Sequence, residues 1–164
     1  MQAVREWLVG GALIEGPGGL LLVCNRRRNG WLDWTPPGGV IDEGEELLAG
    51  LTREVEEETG LSVTRWVGPR YAVDAEAPGL GWRLRVEAWL AAEYEGELRV
   101  DDPDGIVVDA CFVDPLACGE RLRGGHRWVV EPLGAWIEER WADTRTFGYQ
   151  VRGTDPRSLM VTRR

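Results

Sequence analysis

The densest group of side chains able to do chemistry is Arg53-Glu54-Val55-Glu56-Glu57-Glu58, which follows Glu45 after seven residues and is closed by Gly60. Its four carboxylates fall in five positions at what must be the C-terminal end of a helix, where the macrodipole is already negative. Like-charge neighbours there cost a few tenths of a kcal/mol each, and the dipole adds up to about 1 kcal/mol. Such crowding calls for compensation. At about 100° per residue, Glu54, Glu57 and Glu58 share one helix face while Glu56 points nearly the opposite way. Three carboxylates converging from one face suit a hard divalent cation, Mg²⁺ or Mn²⁺, which takes oxygen ligands and keeps coordination positions for water and phosphate oxygens. The glycines of Pro37-Gly38-Gly39 let backbone approach a ligand closely, so the Gly38 carbonyl is a candidate further ligand. A solvated acidic helix face is the competing interpretation of the same glutamates.

Other candidates surround this group. Arg26, Arg27 and Arg28 precede the Pro-Gly-Gly bend and could grip distal phosphates bidentately. Trp31 and Trp34 flank the same loop, where an indole either stacks on a base or packs the helix against a sheet; Trp34 is taken as the substrate contact. Arg83 and Arg85 alternate with Trp82, Leu84 and Val86, placing both on one face of a strand, and Arg83 joins the substrate-binding candidates. His126, the only histidine, sits in a Gly-rich turn and is expected at the surface.

The elements that must position these groups follow from periodicity and punctuation. Residues 45–59 contain no proline and place Leu48, Leu51 and Val55 on one stripe, which predicts a helix stopped by Gly60 as its C′ residue. Arg5 to Glu15 and Leu20 to Cys24, separated by Gly16-Pro-Gly-Gly19, predict a hairpin. Residues 25–30 form a polar loop, and 31–39, with Pro36-Pro37-Gly38-Gly39, a rigid bent one. Leu61–Val73, Trp82–Tyr94 and Ile106–Val113 predict three further strands, and Arg127–Trp141 a second amphipathic helix containing Pro132. The segment from about Thr144 suits an edge strand or a mobile tail.

The 164 residues, 43% hydrophobic and 29% charged, are one domain's worth (1–164) of ordinary globular composition. No apolar run is long enough to span a bilayer and no secretory signal opens the chain, so a soluble, cytoplasmic protein without a membrane partner is expected. Cys24, Cys111 and Cys118 include no CxxC pair, which argues against a disulfide framework or zinc site and makes them small core residues. A net charge of −9 disfavours a nucleic-acid polymer as partner. All nineteen basic residues are Arg, and no function is drawn from that.

The segment Gly39–Leu61 resembles the Nudix box, G-x5-E-x7-R-E-U-x-E-E-x-G-U with U a bulky aliphatic. All nine specified positions match: Gly39, Glu45, Arg53, Glu54, Val55, Glu57, Glu58, Gly60 and Leu61. The box covers 23 of 164 residues, and the surrounding strand order resembles the family too. The resemblance implies an α/β fold, a Nudix α/β/α sandwich with a mixed central sheet and the loop-helix-loop of the box. It also implies metal-dependent hydrolysis of a nucleoside diphosphate linked to another moiety X, with Glu54, Glu57, Glu58 and the Gly38 carbonyl holding Mg²⁺ or Mn²⁺ and Arg53 and Glu45 orienting them. A nucleoside triphosphate, including an oxidised one, is the first substrate expected; a nucleotide sugar or dinucleoside polyphosphate comes next. A non-catalytic nucleotide-binding regulator and an isopentenyl diphosphate isomerase are the rivals. The expected partner is a small nucleotide, and a homodimer is compatible. Family members recruit their base from the helix or from a later loop, where this chain offers Asp101, Asp102, Asp104 and Asp109. Asp109, just ahead of the apolar Cys111-Phe-Val, is the preferred extra ligand.

Overall fold

The computed structural model describes residues 3–164. Among the described residues, ten strands form two sheets. The first runs β10 (Met160–Arg163), β9 (Arg145–Arg152), β6 (Ser62–Ala77), β7 (Trp82–Glu95), β1 (Arg5–Leu13), β5 (Gly38–Val40). It is mixed: β1 lies parallel to β7 and β6 parallel to β9, and the other neighbours are antiparallel. The second sheet is built on β3 (Gly19–Arg26), which pairs with β2 (Glu15–Gly16), β4 (Leu32–Thr35) and β8 (Val107–Val113).

Helix α1 (Leu47–Thr59) begins two residues later than the periodicity predicts and ends at Gly60, whose left-handed φ of 78° lets its amide bond back to Glu56. Its buried Leu51 and Val55 pack on Ala12, Ile14, Leu21 and Val23. The opposite face of the sheets is covered by α2 (Pro115–Arg121) and α3 (Arg127–Glu139), with Leu13, Leu22, Val73 and Tyr149 meeting Leu122, Leu133 and Trp136. Helices therefore cover both faces of the β-layer, an α/β/α sandwich.

Four expectations need correction. The hairpin expected of segments 5–15 and 20–24 is confined to its tip, where Glu15–Gly16 pair with Gly19–Leu20 and the Leu21 amide donates to Ile14; the chain changes sheets after Leu13, so β1 pairs with β7 and β5. Residues 31–39 are two short strands, with Pro36-Pro37 as the break, since proline removes the ladder donors needed to join them. Helix α2, begun by the Asp114 side chain accepting from the Leu116 amide, was hidden by the Pro115 that suits a first helical turn. The C-terminal segment is more than the expected edge strand: β10 is that edge, and β9 lies between β6 and β10 and buries Phe147, Tyr149 and Val151. Cys24 and Cys118 are buried and Cys111 partly so.

Candidate active site

The predicted helix face forms, and Arg53 organises it. Its Nε and Nη2 donate to the two oxygens of Glu45, each at 3.1 Å, while Nη1 lies 3.3 Å from both a Glu54 and a Glu57 oxygen. This guanidinium is the compensating charge that the crowded helix end requires. Hydrogen bonding to Arg53 holds the Glu45 carboxyl below its ordinary range. Glu45 reaches back over Gly50, where a Cβ would come within 2.6 Å of its Oε1. Glu56 points to solvent, as its phase requires.

Glu54 and Glu58 reach further in. The Glu54 carboxylate rests on Gly39, where a Cβ would stand 3.0 Å from Cδ, and burial raises its pKa. Glu58 is 7% exposed and accepts one hydrogen bond, from the Gly38 amide at 3.1 Å, with no basic side chain in ion-pair range. Burial pushes its carboxyl up to about 8 from an ordinary 4.5. Gly38 itself has φ 147°, and a Cβ there would strike the Gly10 carbonyl at 2.0 Å. Because Ala12 donates to Pro37 and Ile41 to Leu8, Gly39 is the β5 residue bonded to β1. Gly38 then turns its amide and carbonyl toward the open edge beside Glu58.

The glutamates share a face without converging: among the described residues no three His, Cys, Asp or Glu side chains close around one point. Arg53 stands between Glu54 and Glu57, and Glu58 turns to Gly38. The donor set nonetheless fits a hard cation, since every available atom is oxygen and the most enclosed carboxylate lacks a countercharge.

Asp109 is not part of this group. Cross-strand pairing with Cys24 puts it on the face that packs toward α2, whereas α1 covers the opposite face, and its carboxylate accepts from the neighbouring Ala110 amide. Beyond the helix's own charges, the loop before β8 also acts on the glutamates, through Asp104 at Glu54 and Asp102 at Glu58. Asp102 is occupied in folding that loop, accepting from the amides of Asp104, Ile106 and Val107.

Gly38 and Gly39 line a cleft of about 940 Å³. Of the three consecutive arginines only Arg27 lines it, held by two 2.9 Å bonds to Asp33, while Arg26 and Arg28 lie outside. Trp34 turns away, partly buried on the α2 side beneath Arg121, and Trp31 is the indole at the cleft. Arg83 points to the other face of its sheet beside Glu76. His126 is exposed, as expected, and also lines the cleft in front of α3, where desolvation lowers its pKa. The alternation Trp31, Asp33, Thr35 was the available signal for this wall; the following Pro-Pro obscured it.

A sandwich of this topology with a box helix on one face defines a class. The NUDIX domain profile matches residues 5–131, and the chain belongs to the Nudix hydrolase family. A mutator MutT protein from Bacillus halodurans superposes with a TM-score of 0.67 over 96% of both chains at 20% identity, which shows the shared fold. A MutT Nudix hydrolase from Burkholderia pseudomallei is 28% identical, with a TM-score of 0.59 over 68% of this chain and 84% of the other. Among curated sequences, an RNA pyrophosphohydrolase of Agrobacterium fabrum is 32% identical over 43% of this chain and 48% of its own length. One from Caulobacter vibrioides is 29% identical over 54% and 58%. The chain thus spans about half the length of the curated relatives it matches.

Proposed function

We propose that this chain, taken as one domain, is a divalent-metal-dependent pyrophosphohydrolase that cleaves a nucleoside diphosphate linked to another moiety, with a nucleoside triphosphate, oxidised or not, as the first candidate. The observation that supports the reading is the contact of Glu54 with Gly39 and of Glu58 with Gly38, two glycines that line the large cleft. Glu54, Glu57, Glu58 and the Gly38 carbonyl would hold Mg²⁺ or Mn²⁺. A cation there supplies neutralisation of the pyrophosphate and a more acidic water.

The chain's own groups then have distinct tasks. Arg53 and Glu45 are positioning residues: their two-point pair fixes the guanidinium that separates Glu54 from Glu57. Glu54, whose carboxyl lies above its ordinary range, is placed to take the proton of the attacking water, with exposed Asp104 the alternative. Arg27, anchored by Asp33, offers a guanidinium to a phosphate within the cleft. Three free thiols and the lack, among described residues, of a helix long and apolar enough to cross a membrane suit a cytoplasmic setting.

The names of the curated relatives favour a second reading, pyrophosphohydrolysis of RNA. The net charge of −9 weighs for a small nucleotide instead. A panel of nucleoside triphosphates, nucleotide sugars, dinucleoside polyphosphates and 5′-triphosphorylated RNA, incubated with Mg²⁺ or Mn²⁺ and assayed separately for phosphate and pyrophosphate, decides. Metal-dependent cleavage of a mononucleotide is expected. Cleavage of RNA alone would transfer the assignment to the second reading, and nucleotide binding without cleavage would identify a regulator.

A further inference from the structure

The cleft contains a polar atom that hydrolysis does not use. Asn25, at the end of β3, is 6% exposed yet lines the cleft. Its amide nitrogen lies 3.1 Å from Asp33 Oδ1 and 2.9 Å from Thr35 Oγ1. These contacts settle which way the amide faces, because a flipped carboxamide would set its oxygen against the Asp33 carboxylate. Asp33 is itself held by Arg27 and cannot turn aside. The Asn25 carbonyl oxygen is therefore turned away from both acceptors, and no protein donor among the described residues reaches it.

Flat surfaces line the same cleft as this acceptor. Trp31 is 59% exposed on the cleft, with its ring near Gly124, where a Cβ would lie 3.9 Å from it. Two residues beyond Gly124, His126 stacks on Trp128 in the same cleft, centroids 4.2 Å apart and planes within 6°. An exposed indole, a stacked imidazole and an enclosed acceptor together fit a planar, N–H-bearing ring.

We infer that Asn25 is the specificity-determining residue of a base subsite, in which the nucleobase of the substrate lies against Trp31 and the His126–Trp128 stack and donates an N–H to Asn25 Oδ1. This rests on reading the cleft as a nucleotide site. Asn25, Asp33 and Gly38 line the same cleft, so the subsite and the Gly38 edge that Glu58 bonds open into one space.

The test is binding without turnover, so it stands apart from the hydrolysis panel. The wild-type protein, free of metal, is titrated by calorimetry with the four common nucleoside 5′-monophosphates, with ribose 5-phosphate, and with the derivative of the best binder whose base N–H groups are methylated. The parent is expected to bind at least about tenfold more tightly than its methylated derivative and than ribose 5-phosphate, the scale of losing one hydrogen bond to an enclosed acceptor. Trp31→Ala should bring the parent toward ribose 5-phosphate and leave ribose 5-phosphate unchanged. Equal affinity of parent and methylated base, or no binding by any monophosphate at millimolar concentration, would overturn the subsite even if the panel shows hydrolysis. Preserved base discrimination with no hydrolysis would retain the subsite and remove the hydrolase reading.

Discussion

Glu58 is the residue whose environment most constrains it, because a buried carboxylate with a single amide donor pays for its charge in stability. Its carboxyl is raised to about 8 from 4.5, so between those values the folded state binds more protons than the unfolded state, and stability falls as pH rises through that window. Glu58→Gln removes the slope and keeps an acceptor for the Gly38 amide. Without divalent metal the variant should match wild type near pH 4 and melt at least about 5 °C higher near pH 8, from an effect worth a few kcal/mol at roughly 2–4 °C each. Saturating Mg²⁺ should close the gap by stabilising the wild type alone. Turnover should fall by at least about a hundredfold, the scale of losing a key electrostatic stabiliser; near-normal turnover or a flat pH dependence of the melting difference would count against this role. At Arg53 the compensation is shared among Glu45, Glu54 and Glu57. Arg53→Met should therefore lower kcat more than it raises KM, because the carboxylates lose their arrangement while the cleft wall is untouched. A rise confined to KM would instead make Arg53 a substrate ligand.

Two neighbouring glycines of strand β5 separate fold from site at the scale of the element. A Cβ on Gly38 would meet the Gly10 carbonyl at 2.0 Å from a left-handed φ, so Gly38→Ala should break the β1–β5 pairing and destabilise the protein by several kcal/mol in urea titrations. A Cβ on Gly39 meets only the movable end of Glu54 at 3.0 Å. Gly39→Ala should keep the melting temperature within a few degrees and cut kcat by about tenfold or more by displacing Glu54. Equal stability losses in the two variants would show that the Glu54 contact is not what Gly39 serves.

The whole molecule depends on strands beyond the profile match, which ends at residue 131. Strand β9 contributes Phe147, Tyr149 and Val151 to the larger core, each 5% exposed or less, and Tyr149 reaches Glu131 of α3 at 2.9 Å. Burying three such side chains contributes roughly 5–8 kcal/mol, comparable to the whole stability of a domain. A chain ending at Asp143 should therefore lose its cooperative thermal transition, measured by circular dichroism. A truncated protein that still melts cooperatively would make β9 and β10 a dispensable addition.

The helix that carries the glutamates, its stop at Gly60 and the shared face of Glu54, Glu57 and Glu58 were legible in the sequence, because i, i+3 and i+4 relations are set by local helical geometry. The need for a compensating charge was legible too, and Arg53 meets it from within the same helix. Which of Arg26, Arg27 and Arg28 faces the cleft, why Trp31 does so rather than Trp34, and why Asp109 looks away from α1 were not. Each depends on strand register, and with a side-chain period of two a shift of one residue exchanges the faces. His126 and Asn25 line one cleft only because the segments before α3 and at the end of β3 come together there from distant parts of the chain. The tertiary structure alone decides such pairings, since no spacing within either segment records the position of the other.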